Sequence, residues 1–106
     1  MTELAKPLEL SEVALRLQSL PLRYPIQRMA VFGSVARGDA SPLSDVDLLV
    51  TLSRGVTTDE LLDMAGEAEE LVGRRVDFVQ QPWLDKSSNS EARRHILETA
   101  VCIYGC

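Results

Sequence analysis

An α/β fold, a small mixed β-sheet with helices packed on it, is what this chain of 106 residues predicts. Three observations carry that reading. Segments of helical period alternate with short β-branched runs in the order helix, strand, strand, helix, strand, helix. The run DVDLLVTL, Asp45 to Leu52, is almost continuously apolar after its two aspartates, as in a central strand covered on both faces. Between that strand and the next stands a helix with its own start and stop signals.

From Leu8 to Leu20, apolar Leu10, Val13, Ala14, Leu17 and Leu20 recur at the spacing of a helix that buries one stripe, and Pro21 and Pro25 stop it. Ile26 to Phe32 (IQRMAVF) reads as a strand ending at Gly33. The stretch SVARGDASPLS that follows is rich in Gly, Pro and Ser and predicts a turn of helix and a loop. Thr57-Thr58-Asp59-Glu60 matches a capping box; Leu61, Met64, Ala65, Ala68, Leu71 and Val72 follow at helical spacing until Gly73. Arg74 to Gln80 (RRVDFVQ) alternates as a third strand. Ser88-x-x-Glu91 is a second capping-box pattern, opening a helix to about Ala100, with Val101 to Tyr104 as a short edge strand.

The length suits a single domain over residues 1–106, and an apolar fraction of 45% with 25% charged residues is that of a globular chain. A net charge of −5 argues against a protein that clamps long polynucleotides, which takes a surplus of Lys and Arg. No apolar run approaches the ~20 residues that span a bilayer, and the N-terminus lacks a basic-then-apolar leader, so a cytoplasmic protein is expected. Cys102 and Cys106 have no second pair of ligands for zinc; the expectation is one buried small hydrophobe and one free thiol. Trp83 reads as a core or interface anchor, His95 as a solvated or partly buried helix residue, and Arg93 and Arg94 as a solvated helix face.

The chemistry concentrates in VFGSVARGDASPLSDVDLLV, Val31 to Val50. Residues two apart in a strand share a face, so Asp45 and Asp47 converge, and two such carboxylates are costly unless cations compensate them. A pair of Mg²⁺ ions held by oxygen ligands and completed by substrate phosphates would do so. Gly33-Ser34, where a strand runs into a turn, allows close backbone approach, with amide N–H groups and a hydroxyl for phosphate oxygens. Asp77 sits against local preference between Val76 and Phe78: it completes a cluster of three if its strand neighbours the Asp45–Leu52 strand, and otherwise pairs with Arg74 or Arg75.

Gly33-Ser34, ten intervening residues (Val35 to Ser44) and then Asp45-Val46-Asp47 resemble the signature of the DNA polymerase β-like nucleotidyltransferases. The fuller string resembles the minimal nucleotidyltransferases, the MNT-domain proteins of about this length. The resemblance implies the polymerase β-like fold, with Asp45, Asp47 and Asp77 as metal-binding catalytic carboxylates, Asp77 also serving as the base. It implies that Gly33 and Ser34 hold the triphosphate, with Ser44 supporting the loop. Arg37 matches a position where the family often has arginine, and either contacts phosphate or pairs with Asp39. A hydroxyl would attack the α-phosphorus of ATP, with Mg²⁺ as cofactor and pyrophosphate leaving. With no further domain to hold an acceptor, the resemblance implies a partner. The expected one is a HEPN-domain toxin, in a hetero-oligomer with this chain as antitoxin, AMP passing to a tyrosine of the toxin. The alternative is a nucleotide-binding antitoxin that neutralises its partner by contact alone.

Overall fold

The computed structural model describes residues 7–106; residues 1–6 of the domain expected over 1–106 lie outside the described residues. The chain folds as α1 (Leu10–Arg16), a 3-10 turn at Leu20–Leu22, β1 (Ile26–Phe32), α2 (Gly33–Arg37), β2 (Val46–Leu52), α3 (Thr58–Val72), β3 (Val76–Gln80), α4 (Gln81–Asp85), α5 (Ser90–Thr99) and β4 (Val101–Tyr104). This is the mixed α/β architecture the sequence predicts. The four strands lie in the order β3-β2-β1-β4, with β1 antiparallel to β2 and β4, and β2 parallel to β3. A parallel pair needs a crossover between its strands, and α3 provides it.

The two faces of the sheet are covered unequally. On one, Val13 and Leu17 of the α1 segment, Met29 and Val31 of β1, Val46, Leu48 and Val50 of β2, and Met64, Ala68 and Val72 of α3 form the main core. On the other, Ala30, Leu49 and Leu84 make a smaller core with Phe32, Val79, Ile96 and Ala100 packed against it. Because side chains alternate along a strand, β2 serves both layers and its near-continuous apolar run follows. The capping box of α3 forms as expected: Thr57 Oγ1 accepts from the Glu60 N–H at 3.1 Å, and Glu60 accepts from the Thr57 N–H at 3.3 Å. Gly73 closes the helix, its N–H on the Glu69 carbonyl.

Four details depart from expectation. The first helix is shorter than Leu8 to Leu20, because the chain tightens after Arg16 into turns and the 3-10 segment at Pro21; Val13, Leu17 and Leu20 are buried all the same. The segment QPWLD, unassigned from sequence, is the short α4, with Trp83 76% exposed, so Trp83 is no core residue. Helix α5 is capped by Asn89, which accepts from the Ala92 N–H at 3.0 Å, rather than by Ser88; Arg93 reaches back to the Ser87 carbonyl at 3.2 Å instead of standing free in solvent. Cys102 and Cys106 are joined in a disulfide with Cα atoms 5.8 Å apart. Gly105, at φ +74°, turns the chain back beyond β4 against the Gln27–Arg28 backbone, which brings the two thiols together. Among the described residues no helix is long and apolar enough to cross a membrane.

Candidate active site

The predicted acids arrive at one end of the sheet by register. In the β2–β3 ladder Val46 pairs with Val76 and Asp47 with Asp77, so the two carboxylates stand side by side on the face opposite the main core. On the other side of β2, Asp47 pairs with Phe32, the last residue of β1 before the chain turns into α2. Asp45 precedes the first ladder residue. It is close enough for its charge to act on Asp47.

Asp47 is half-buried, Asp77 exposed. The pKa of Asp47 is raised above its ordinary value, first by burial, then by the charges of Asp77 and Asp45 and by a hydrogen bond with Asp77; Arg37 acts the other way. A divalent cation at the same place would relieve the same repulsion, so this donor set fits a hard cation with oxygen ligands. Among the described residues no three acidic, His or Cys side chains are gathered into a cage made of protein atoms alone. Mg²⁺ commonly takes one or two carboxylates and fills the remaining positions with phosphates and water.

Gly33 is the other half of the site. It opens α2 at φ +75°, and a Cβ placed on it would lie 3.2 Å from Asp47 Cγ and closer still to Oδ2. The absence of a side chain therefore lets Asp47 lean over the start of α2. Ser34 follows, half-buried, in the first turn of that helix. Arg37 lies at the last turn, where its Nε donates to Asp39 Oδ2 at 3.1 Å; the surface pair is formed, and the Arg37 charge acts weakly on Asp47 to lower that pKa. Ser44 closes a tight turn: its Oγ accepts from the Ser41 N–H at 2.8 Å and lies 3.1 Å from Ser41 Oγ, while its own N–H donates to the Ser41 carbonyl. The hydroxyl of Ser44 is thus engaged in the loop it was expected to support. Arg74, considered from sequence only as a partner for Asp77, donates to the Pro42 carbonyl; no local pattern connects residues so far apart.

Residues 10–102 match the nucleotidyltransferase domain family. The chain is 31% identical over 75 residues to the protein adenylyltransferase MntA of Thermococcus cleftensis, covering 71% of this chain and 76% of that protein. Among solved structures, a candidate minimal nucleotidyltransferase is similar with a TM-score of 0.69 and 32% identity, over 89% of this chain and 95% of the other. An MNT antitoxin in complex with a tri-AMPylated HEPN toxin from Shewanella oneidensis shares the fold at a TM-score of 0.63 and 14% identity, over 91% of this chain and 72% of the other.

Proposed function

The chain belongs to the nucleotidyltransferase domain family, and from that premise we propose that it transfers AMP from ATP to a tyrosine hydroxyl of a partner HEPN-type toxin, acting as its antitoxin. The observation that carries the reading is the juxtaposition of Asp47 and Asp77 in adjacent parallel strands, with Gly33 bare beneath Asp47. A strand-borne acidic pair in which burial first, and then mutual repulsion, raises a pKa is a poor structural device and a good cation-binding one. The relatives named as protein adenylyltransferases and the AMPylated toxin bound to an MNT antitoxin support AMP as the transferred group and a HEPN protein as acceptor.

In this reading Asp45, Asp47 and Asp77 would hold Mg²⁺, each ion taking one or two of the carboxylates and completing its shell with phosphates and water. Bound there, the ion supplies neutralisation of the charge on the transferring and leaving phosphates. Backbone amides at Gly33 and Ser34, with the Ser34 hydroxyl, bind the triphosphate; Arg37 adds positive charge at the same end, and Ser44 keeps the connecting loop in shape. The acceptor oxygen forms its bond to the α-phosphorus as the bond to the bridging oxygen of pyrophosphate breaks. Asp77, the most exposed of the three acids, takes the hydroxyl proton. Positioning and electrostatics supply the rate, as in other phosphoryl-group transfers. ATP is the donor, and the cytoplasm, where ATP is abundant, is the compartment we propose. In that reducing compartment the Cys102–Cys106 disulfide would be opened to two thiols.

The test is label transfer from α-labelled ATP to the partner toxin. Asp47→Asn should reduce transfer by about 10³-fold, the scale of losing a main electrostatic element, without lowering the melting temperature. Undiminished transfer would refute the catalytic assignment. Loss of transfer with toxin still neutralised would show that contact alone suffices for the antitoxin effect.

A further inference from the structure

We infer that Arg74 is a positioning residue for nucleotide transfer: from the α3–β3 turn it clamps the loop before β2 and so sets where Asp45 and Asp47 stand. The inference rests on the function proposed above for those acids.

The loop from Gly38 to Asp45 joins the phosphate half of the site to the carboxylate half. Its near end is well tied. The Gly38 N–H donates to the Val35 carbonyl at 3.2 Å, the Asp39 N–H to the Ser34 carbonyl at 3.1 Å, and Ala40 packs on the main core. The far end is only partly secured by burial: Ser41 and Leu43 are exposed, while Pro42, Ser44 and Asp45 are half-buried. The Ser41–Ser44 hydrogen bonds shape the turn but join it only to itself.

Two bonds to the α3–β3 turn supply what burial does not. The half-buried Arg74 guanidinium donates to the Pro42 carbonyl, and the Val46 N–H donates to the Arg75 carbonyl at 2.9 Å. They flank Asp45 in sequence, one on each side. The turn that makes them is itself fixed to α3, since the Gly73 N–H donates to the Glu69 carbonyl at 2.8 Å and Glu69 Oε2 accepts from the Val76 N–H at 3.0 Å. A charge-assisted hydrogen bond is about twice as strong as a neutral one, so the arginine is the stronger of the two ties. Without it the Val46 bond is the one remaining hydrogen bond, among those of the described residues, that ties this end of the loop to the α3–β3 turn. A displacement of ~1 Å at a reacting group can cost about 10²-fold in rate.

Amide hydrogen exchange and Mg²⁺–ATP titration on the full chain test this, comparing wild type, Arg74→Ala and Arg74→Lys. In Arg74→Ala, protection of the Ser44 and Val46 amides should fall by about tenfold or more, while Leu48 and Val50 in mid-strand stay as in wild type. The Kd for Mg²⁺–ATP should rise about tenfold. Arg74→Lys, which keeps a charged donor, should restore both to within about threefold of wild type. Unchanged protection at Ser44 and Val46, a uniform loss along β2, or no rescue by lysine would each overturn the inference. A wild-type chain that binds no Mg²⁺–ATP would instead refute the function proposed above, with the exchange pattern still deciding whether Arg74 clamps the loop.

Discussion

Replacing Gly33 by alanine isolates the contact on which the site depends. At φ +75° any side chain is strained, and the left-handed region costs a non-glycine residue about 1–3 kcal/mol. The added methyl also meets Asp47: 3.2 Å to Cγ is shorter than the 3.5–4.0 Å optimum for carbon pairs. The carboxylate must swing away by roughly 1 Å, enough to cost about 10²-fold in transfer rate. At about 4–8 °C per kcal/mol for a domain of 60–100 residues, the melting temperature should fall by at least ~5 °C. A double-mutant cycle separates the two causes. In an Asp47→Ala background the nearest remaining atom of residue 47 is Cβ, 3.6 Å away and in ordinary contact, so Gly33→Ala should there cost only the backbone strain. Thermal melts of the four variants give the coupling energy, expected at about 0.5–3 kcal/mol for residues in direct contact. Strict additivity, or a Gly33→Ala protein that transfers AMP at the wild-type rate, would refute the claim that Gly33 is bare to make room for Asp47.

Two further outcomes are expected. Thr57→Ala removes the side-chain half of the α3 capping box and should cost about 1 kcal/mol in a denaturant titration, leaving label transfer unchanged, since the cap is remote from the acids. In chelating buffer, Asp47→Asn should melt above wild type at neutral pH, with the difference shrinking on acidification. The folded pKa of Asp47 lies above its ordinary value of 3.8, so its contribution is favourable below the unfolded pKa and is lost as pH rises through the folded value. Melts from pH 3 to 8 that ran parallel for the two proteins would contradict this.

Much of this fold is legible because its signals are local. The strand bounds Ile26–Phe32 and Val101–Tyr104 follow from β-branched runs ending at glycines, and α3 from a capping box and a glycine stop. What was missed depends on something local pattern does not carry. Pro82 reads as a breaker, yet proline is tolerated in a first helical turn, and five residues are too few to show a period. Ser88 and Asn89 are both good caps, and only the position of the Ala92 N–H decides between them. The disulfide requires the reversal at Gly105, and the reach of Arg74 to Pro42 requires the tertiary fold. At the site, the spacing of Gly33-Ser34 and Asp45-x-Asp47 was readable, but the place of Asp77 was conditional on strand order.

That condition is met by packing rather than by the acids themselves. Two carboxylates repel, so nothing in their own interaction would draw Asp77 to Asp47. The β2–β3 register is fixed by the main core, where Val46, Leu48 and Val50 face the same side as Val76 and Phe78. Side chains alternate with period two, so a slip of one residue would turn Asp77 into that core and Val76 out of it. Burying an unpaired carboxylate costs several kcal/mol, besides the lost valine burial. The alternative register is therefore excluded by the hydrophobic pattern, and the repulsive pair is held in place by residues with no chemical role. The apolar residues that make β2 and β3 strands thus also place the acids, whose repulsion a cation and a triphosphate can relieve.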